Sequence, residues 1–290
     1  MADFDRTQED IGNVVLMEHV NTRVPDQQLA TLFYVMGLGL TRDPYLSTGT
    51  TNMWINVGRS QFHLPTGQPQ VVRGRTGLVI PGRDALLNRL AAVSSQLSET
   101  KFSFKESDKG VEVICPWGNQ IRCHEPGNSF GRMHLGMPYV ELDVPPGAAN
   151  AIAEFYQSIL ETDAFVDTSA SEPCARVSVG ESQSLIFKET DKPAPAYDGH
   201  HIAVYLANFS RPHQRLLDRN LVTQESNQHQ YRFVDILDLA GNQPLFRIEH
   251  EVRSMTHPLY GRAQINRNPD ITNASYVPGH QDQAWARPLK

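Results

Sequence analysis

The sequence is short of the features that would place a chain outside the soluble globular class. Its three cysteines, Cys115, Cys123 and Cys174, are odd in number and include no Cys-x-x-Cys pair. That argues against a disulfide framework and against a zinc site built on thiolates. No apolar run approaches the roughly 18 residues needed to cross a bilayer, and the first ten residues, MADFDRTQED, are polar and acidic, unlike a signal or transit peptide. No two basic residues are consecutive, and the formal net charge is −6. Both facts count against non-specific nucleic-acid binding and against attraction to anionic membranes. What remains, 290 residues with 40% hydrophobic and 20% charged, predicts a soluble, cytoplasmic protein able to bury a sizeable core.

What the sequence does contain is internal repetition. HVNTRV (19–24) and YVELDV (139–144) each end a strand-like segment, meet proline, and run into a helix carrying Phe-Tyr: Phe33-Tyr34 and Phe155-Tyr156. Each helix leads to a strand closing on Val-Gly and a shared VG-x-SQ turn, in INVGRSQFHL (55–64) and VSVGESQSLIF (177–187). A second pair of segments also matches. RTGLVI (75–80) leads to the helix-like DALLNRLAAV (84–93) and then WGNQIRCHE (117–125). DGHHIAVYL (198–206) leads to RPHQRLLDRNLV (211–222) and then AGNQPLFRIEHE (240–251). The repeated Gly-Asn-Gln reads as a turn between two final strands, both ending in His-Glu. The chain therefore divides into four strand–helix–strand–strand–strand units, in two halves joined near 126–137.

This arrangement resembles the vicinal oxygen chelate superfamily, which includes glyoxalase I, methylmalonyl-CoA epimerase, fosfomycin-resistance proteins and extradiol dioxygenases. The resemblance spans residues 13–252, and its most specific piece is strand–Pro-Asp–helix–Phe-Tyr–Gly-Leu over 19–38. It implies an α+β fold of four βαβββ modules paired into two open barrels. The first two modules would occupy 13–126 and the last two 137–252, with 253–290 a tail that serves as lid or interface. In such proteins the ligands of one divalent metal come from the first and last strands of the modules. Carried over position by position, the resemblance implies His19 and His63 in module one, and His201 and Glu249 in module four. The matching positions of the middle modules hold Gly77, Arg122 or Cys123, Tyr139, and Leu185 or Phe187. One complete site then requires modules one and four to share a barrel.

A lone histidine in a strand is ordinarily structural, so the ligand role of His19 rests on the resemblance. Strand alternation sets His201 apart from His200 and Glu249 apart from His250, with Glu249 sharing its face with Arg247 and Glu251. Histidine and carboxylate donors suit Fe(II), Mn, Ni, Co or Zn, and two histidines with one carboxylate favour Fe(II). His63 reads either as a fourth ligand or as a general base. NQHQYRF (227–233) resembles a segment of extradiol dioxygenases, which makes His229 and Tyr231 catalytic candidates alongside His63. Arg232, and His257, Tyr260 and Arg262 of the tail, are candidates for substrate binding.

The reading that follows is a mononuclear metal enzyme acting on a small oxygen-chelating substrate, leaning to extradiol-like dioxygenase. The alternatives are a glyoxalase- or epimerase-like lyase or isomerase, and a small-molecule binding or resistance protein. The expected partners are that substrate and, through the tail, a second copy of the chain in a homodimer; nucleic acid and membrane are not expected.

Overall fold

A computed structural model describes residues 5–169, 172–193 and 195–267, with the short segments 275–276 and 286–287. The first quarter contributes strands β1 (Val14–Asn21), β2 (Thr41–Arg42), β3 (Asn52–Val57) and β4 (Ser60–Pro65). The second contributes β5 (Gly74–Val79), β6 (Ser103–Ser107), β7 (Gly110–Ile114) and β8 (Gln120–His124). The third holds β9 (Gly136–Val144), β10 (Ala164–Asp167), β11 (Cys174–Gly180) and β12 (Gln183–Glu189). The fourth holds β13 (His201–Leu206), β14 (Val222–Asn227), β15 (Gln230–Leu237) and β16 (Pro244–Ser254).

These strands form two eight-stranded sheets of the same design. One runs β14-β15-β16-β13-β1-β4-β3-β2 and the other β10-β11-β12-β9-β5-β8-β7-β6. In every quarter the first strand lies parallel to the last, as β1 to β4 and β13 to β16. The two quarters of each sheet meet through antiparallel first strands, β1 with β13 and β5 with β9. The chain's outer quarters thus share one sheet and its inner quarters the other. This is the expected α+β fold of four βαβββ units in two open barrels.

Local signals explain the element boundaries. Asp26 caps the first helix by accepting from Gln28 N and Leu29 N at 2.7 and 2.9 Å, so Gln27–Ala30 starts cleanly after Pro25 and continues as a π-helical segment, Thr31–Gly37. Both VG-x-SQ segments form the tight turns before β4 and β12. The first needs glycine: Gly58 has φ +66°, and a Cβ there would lie 2.0 Å from the Leu135 carbonyl oxygen. Gln183 of the second segment ties the sheets together, accepting from Met17 N at 3.0 Å and donating to Met17 O and Met137 O at 3.1 Å each.

The hydrophobic core gathers helices and sheet faces from all four quarters. Helix Arg83–Val93 packs on the π-helical segment of the first quarter, and helix Ala149–Phe155 lies between β15 of one sheet and β11 and β12 of the other. The Phe-Tyr pairs are buried in that layer, where Phe155 meets Phe233 at 6.1 Å and Tyr156 Oη lies 2.6 Å from His250 Nε2. With apolar residues committed to this side, the opposite face of each sheet is left for polar residues.

Candidate metal centre

Register decides which side chains meet on the inward face of the β1/β13 sheet. His19 lies opposite Ala203 and beside Gln61, while His201 lies beside Glu249 and Ala203 beside Glu251. Residues facing one another across a sheet share a face, so His19, Gln61, His63, His201, Glu249, Glu251 and Arg253 all point inward. Glu18 joins them by a different route. The β1–β13 register slips between Met17 and His19, leaving Glu18 as an extra, bulged residue. Both Glu18 and His19 are consequently buried, and their side chains touch, with Glu18 Oε2 3.0 Å from His19 Nδ1.

The donors converge. His19 Nε2 lies 3.3 Å from His201 Nε2, which in turn lies 3.5 Å from Glu251 Oε2. His19, His201 and Glu251 offer donor atoms all within 4.8 Å of one another, and all three are buried. A metal about 2.1 Å from two donors at 90–110° to each other would set those donors about 3.0–3.4 Å apart. The His19–His201 spacing falls inside that range and the His201–Glu251 spacing just above it, so a small adjustment of these side chains would accommodate a first-row divalent ion.

The carboxylate of this group is Glu251, two residues along the same face from the expected Glu249. Glu249 stands level with His201 and meets its other nitrogen, Nδ1, at 3.4 Å, with about a quarter of its side chain exposed. Arg232 binds the carboxylates of both Glu249 and Glu251, and Arg253 binds those of Glu18 and Glu251. The phenol of Tyr205 completes the cluster, donating to Glu18 Oε1 at 3.0 Å.

His63 stands beside this group. Its ring is stacked between Trp54, at 3.9 Å and 5°, and His19, at 3.7 Å and 23°. Gln61 Nε2 donates to Asn56 and Asp43, so its Oε1 must accept the His63 Nε2 proton at 3.0 Å, which leaves the lone pair on Nδ1. His63 forms a second donor group with Glu18 and His19 rather than with His201 and Glu251.

Burial keeps these imidazoles neutral. It holds His19 and His63 well below the usual histidine range, with Arg253 adding to the effect on both, and it lowers His201 to about 3, aided by Arg232 and Arg253. Neutral imidazole is the form that can ligate a metal.

Other candidates fall elsewhere. Tyr231 alternates with Arg232 and therefore points to the core, packed against Phe209 at 4.9 Å and His213 at 4.8 Å. His229 sits in the turn before β15, where its Nδ1 meets Thr256 Oγ1 at 3.2 Å. Neither side chain belongs to the donor groups, so the catalytic role expected for them has no geometric support. In the tail, Tyr260 packs on Tyr205 at 5.0 Å, His257 lies 6.1 Å from the same ring, and Arg262 pairs with the buried Asp43 at 2.7 Å. The segment through residue 267 thus folds onto the first sheet, where Tyr260 and Arg262 share a 410 Å³ cavity with Leu16 and Glu18. The tail beyond 267 lies outside the described residues, apart from the segments 275–276 and 286–287.

The sequence reading missed Glu18, Glu251, Tyr205 and Arg253 as parts of the site. Alternation alone included Glu251, Arg253 and Tyr205 on the inward face, and only the bulge at Glu18 left no sequence signal.

No protein-family model and no curated protein matches the sequence. Among solved structures, the chain is similar to a candidate dioxygenase from Bacillus subtilis, with a TM-score of 0.55, 17% identity, and 84% of this chain and 86% of that one covered. It is also similar to glyoxalase I from Zea mays, with a TM-score of 0.54, 12% identity, and coverage of 83% and 92%. At these identities the likeness is one of fold.

Proposed function

Starting from a chain with the vicinal oxygen chelate fold, we propose a mononuclear divalent-metal enzyme that takes a small substrate through two neighbouring oxygens, with extradiol-like dioxygenase chemistry the first reading. The observation that carries it is the convergence of His19, His201 and Glu251, two imidazoles and one carboxylate on one face. That donor set suits Fe(II) best, with Mn, Ni, Co and Zn as alternatives. When bound, such an ion supplies Lewis acidity and a place for the substrate beside dioxygen.

The chain's own residues would do the rest. Arg232 is the substrate-facing cation: its Nε is buried with no hydrogen-bond partner among the described residues, while its other nitrogens hold Glu249 and Glu251. A substrate oxyanion would meet the exposed part of this side chain, about a fifth of it. His63 Nδ1 would accept a proton, since its Nε2 is committed to Gln61 and its ring cannot turn between Trp54 and His19. Burial of the donors excludes bulk water.

The same His63 geometry favours a second reading, a glyoxalase- or epimerase-like lyase or isomerase, in which that proton transfer is the whole reaction. One experiment separates the two. Anaerobically purified protein is loaded with Fe(II) and given a catechol panel with oxygen uptake recorded. In parallel, 2-oxo-aldehyde hemithioacetals and epimerisable thioesters are followed for solvent deuterium incorporation. Oxygen uptake with ring cleavage supports the dioxygenase. Deuterium incorporation without uptake transfers the assignment to proton transfer. Absence of bound metal under every loading condition would leave a small-molecule binding protein.

A further inference from the structure

Each histidine of the triad has a carboxylate at its far nitrogen. Glu18 Oε2 is 3.0 Å from His19 Nδ1, and Glu249 Oε1 is 3.4 Å from His201 Nδ1. The near nitrogens, the two Nε2 atoms, face each other at 3.3 Å. Three of the roughly four acceptor sites of Glu18 are already taken, Oε2 by His19 and Arg253 and Oε1 by Tyr205. Glu249 is likewise engaged by Arg232.

We propose that Glu18 and Glu249 are a matched pair of positioning residues, each fixing one histidine in the tautomer that carries its proton on Nδ1. This rests on the metal reading of the site. A carboxylate can only accept, so the nitrogen beside it must bear the proton and the opposite nitrogen must bear the lone pair. Applied to His19, that rule leaves the lone pair on Nε2. His201 has Glu249 3.4 Å from Nδ1 and Glu251 3.5 Å from Nε2, and the proposed assignment puts its proton on Nδ1, so that His19 Nε2, His201 Nε2 and Glu251 Oε2 converge as three acceptors. Three lone pairs in contact repel one another, and a cation relieves the repulsion. Pre-setting both tautomers also removes the ring flip or proton shift that would otherwise precede ligation.

The bulge at Glu18 acquires a purpose in this scheme. In a regular strand Glu18 would point away from His19, and only the extra residue brings carboxylate and imidazole to the same face. Glu249 needs no bulge, because the β13–β16 register already sets it level with His201. The two pairs differ in depth, Glu18 being buried and Glu249 about a quarter exposed, so Glu18 is expected to be the firmer of the two.

The test uses the full chain, metal-free and labelled with ¹⁵N-histidine, and reads tautomers from long-range proton–nitrogen spectra. Co(II) affinity is measured by absorbance titration. The wild type should show unprotonated Nε2 on both His19 and His201. Glu18→Gln should give His19 a mixture of tautomers and weaken Co(II) binding about 10–100-fold, the range for lost outer-sphere partners. Glu249→Gln should do the same to His201 with a smaller loss. Tyr205→Phe, which removes another partner of Glu18 but keeps the carboxylate, should leave the His19 tautomer unchanged, separating positioning from general loosening.

A proton on Nε2 of either histidine in the wild type would overturn the proposal. So would Co(II) affinity unchanged within about twofold in both glutamine variants. If the tautomers are as described but the wild type binds neither Co(II), Fe(II) nor Zn(II), the metalloenzyme reading falls and the tautomer assignment stands.

Discussion

The two sheets share one strand order and one pattern of parallel and antiparallel pairing, yet their inward faces differ completely. In the β1/β13 sheet the matching positions hold His19, His201 and Glu251, and among the described residues both groups able to hold a metal lie there. In the β5/β9 sheet, Gly77 faces Tyr139, whose ring occupies the space a side chain at 77 would need. Every nearby charge is matched: Arg75 pairs with Glu112 at 3.3 Å and Glu141 at 3.2 Å, and Arg122 binds Glu112 as well. The first face gathers two imidazoles and three carboxylates against two arginines, whereas the second pairs two arginines with two carboxylates. The fold tolerates both because its stability comes from the opposite, apolar face, where Phe33, Tyr34, Phe155 and Tyr156 pack alike.

The largest test of that contrast is removal of one inward charge from each sheet. Glu251→Ala should lose metal by more than about 100-fold, beyond the effect of an outer-sphere partner. Arg122→Ala should change metal binding by less than about twofold, since it sits in a separate sheet with no shared partner. Metal content after equilibrium dialysis reads both. Equal losses would show that the second sheet contributes to the site, and no loss in Glu251→Ala would return the ligand role to Glu249.

Much of this contrast was legible in the sequence, because the signals that set the fold repeat. VG-x-SQ, Gly-Asn-Gln and Phe-Tyr recur at matching places, and each has a local physical cause in a tight turn or a buried helix face. His19 and His201 against Gly77 and Tyr139 likewise identify which quarters keep donors. The choice between Glu249 and Glu251 was not legible. Both lie on the inward face, alternation cannot separate them, and only the register of β16 against β13 and of β13 against β1 sets Glu251 level with His19. That register depends on pairing between strands about 180 residues apart. Glu18 was hidden for a related reason: a bulge reverses the face that alternation assigns. For Tyr231 alternation was informative, since its neighbour Arg232 faces the carboxylates and Tyr231 therefore packs on the opposite face against Phe209 and His213.

Acid should strike the two sheets unequally. Burial lowers His201 and His250 to about 3, and it holds His19 and His63 well below the usual value. All four lie in the β1/β13 sheet. A histidine whose folded value is depressed contributes stability that is present above its unfolded value near 6.5. That stability is lost as pH falls through the window down to about 3, because the unfolded chain binds the proton and the folded one does not. Each such group adds a slope of up to about 1.4 kcal/mol per pH unit. Counting His201 and His250 alone and discounting by half for local relaxation, metal-free protein should lose about 2 kcal/mol between pH 6.5 and 5. Urea unfolding gives the total, and hydrogen exchange should place the early loss in β13 and β16. Uniform loss across both sheets would remove this part of the comparison.

The smallest expected effect tests the neutralised face. At Gly77 a Cβ would lie 2.4 Å from the Tyr139 ring, so Gly77→Ala must displace the ring and with it the 2.9 Å contact between Tyr139 Oη and His124 Nε2. Overpacking of this kind should cost about 1–2 kcal/mol. If the ring is the obstacle, Tyr139→Ala should remove most of that cost, giving a coupling of at least about 1 kcal/mol in a double-mutant cycle of unfolding free energies. Metal binding should be untouched in all three variants, since none alters the β1/β13 face. Additive losses would mean that glycine is needed at 77 for its backbone rather than for the ring above it, and the account of how this sheet filled its empty site would fail.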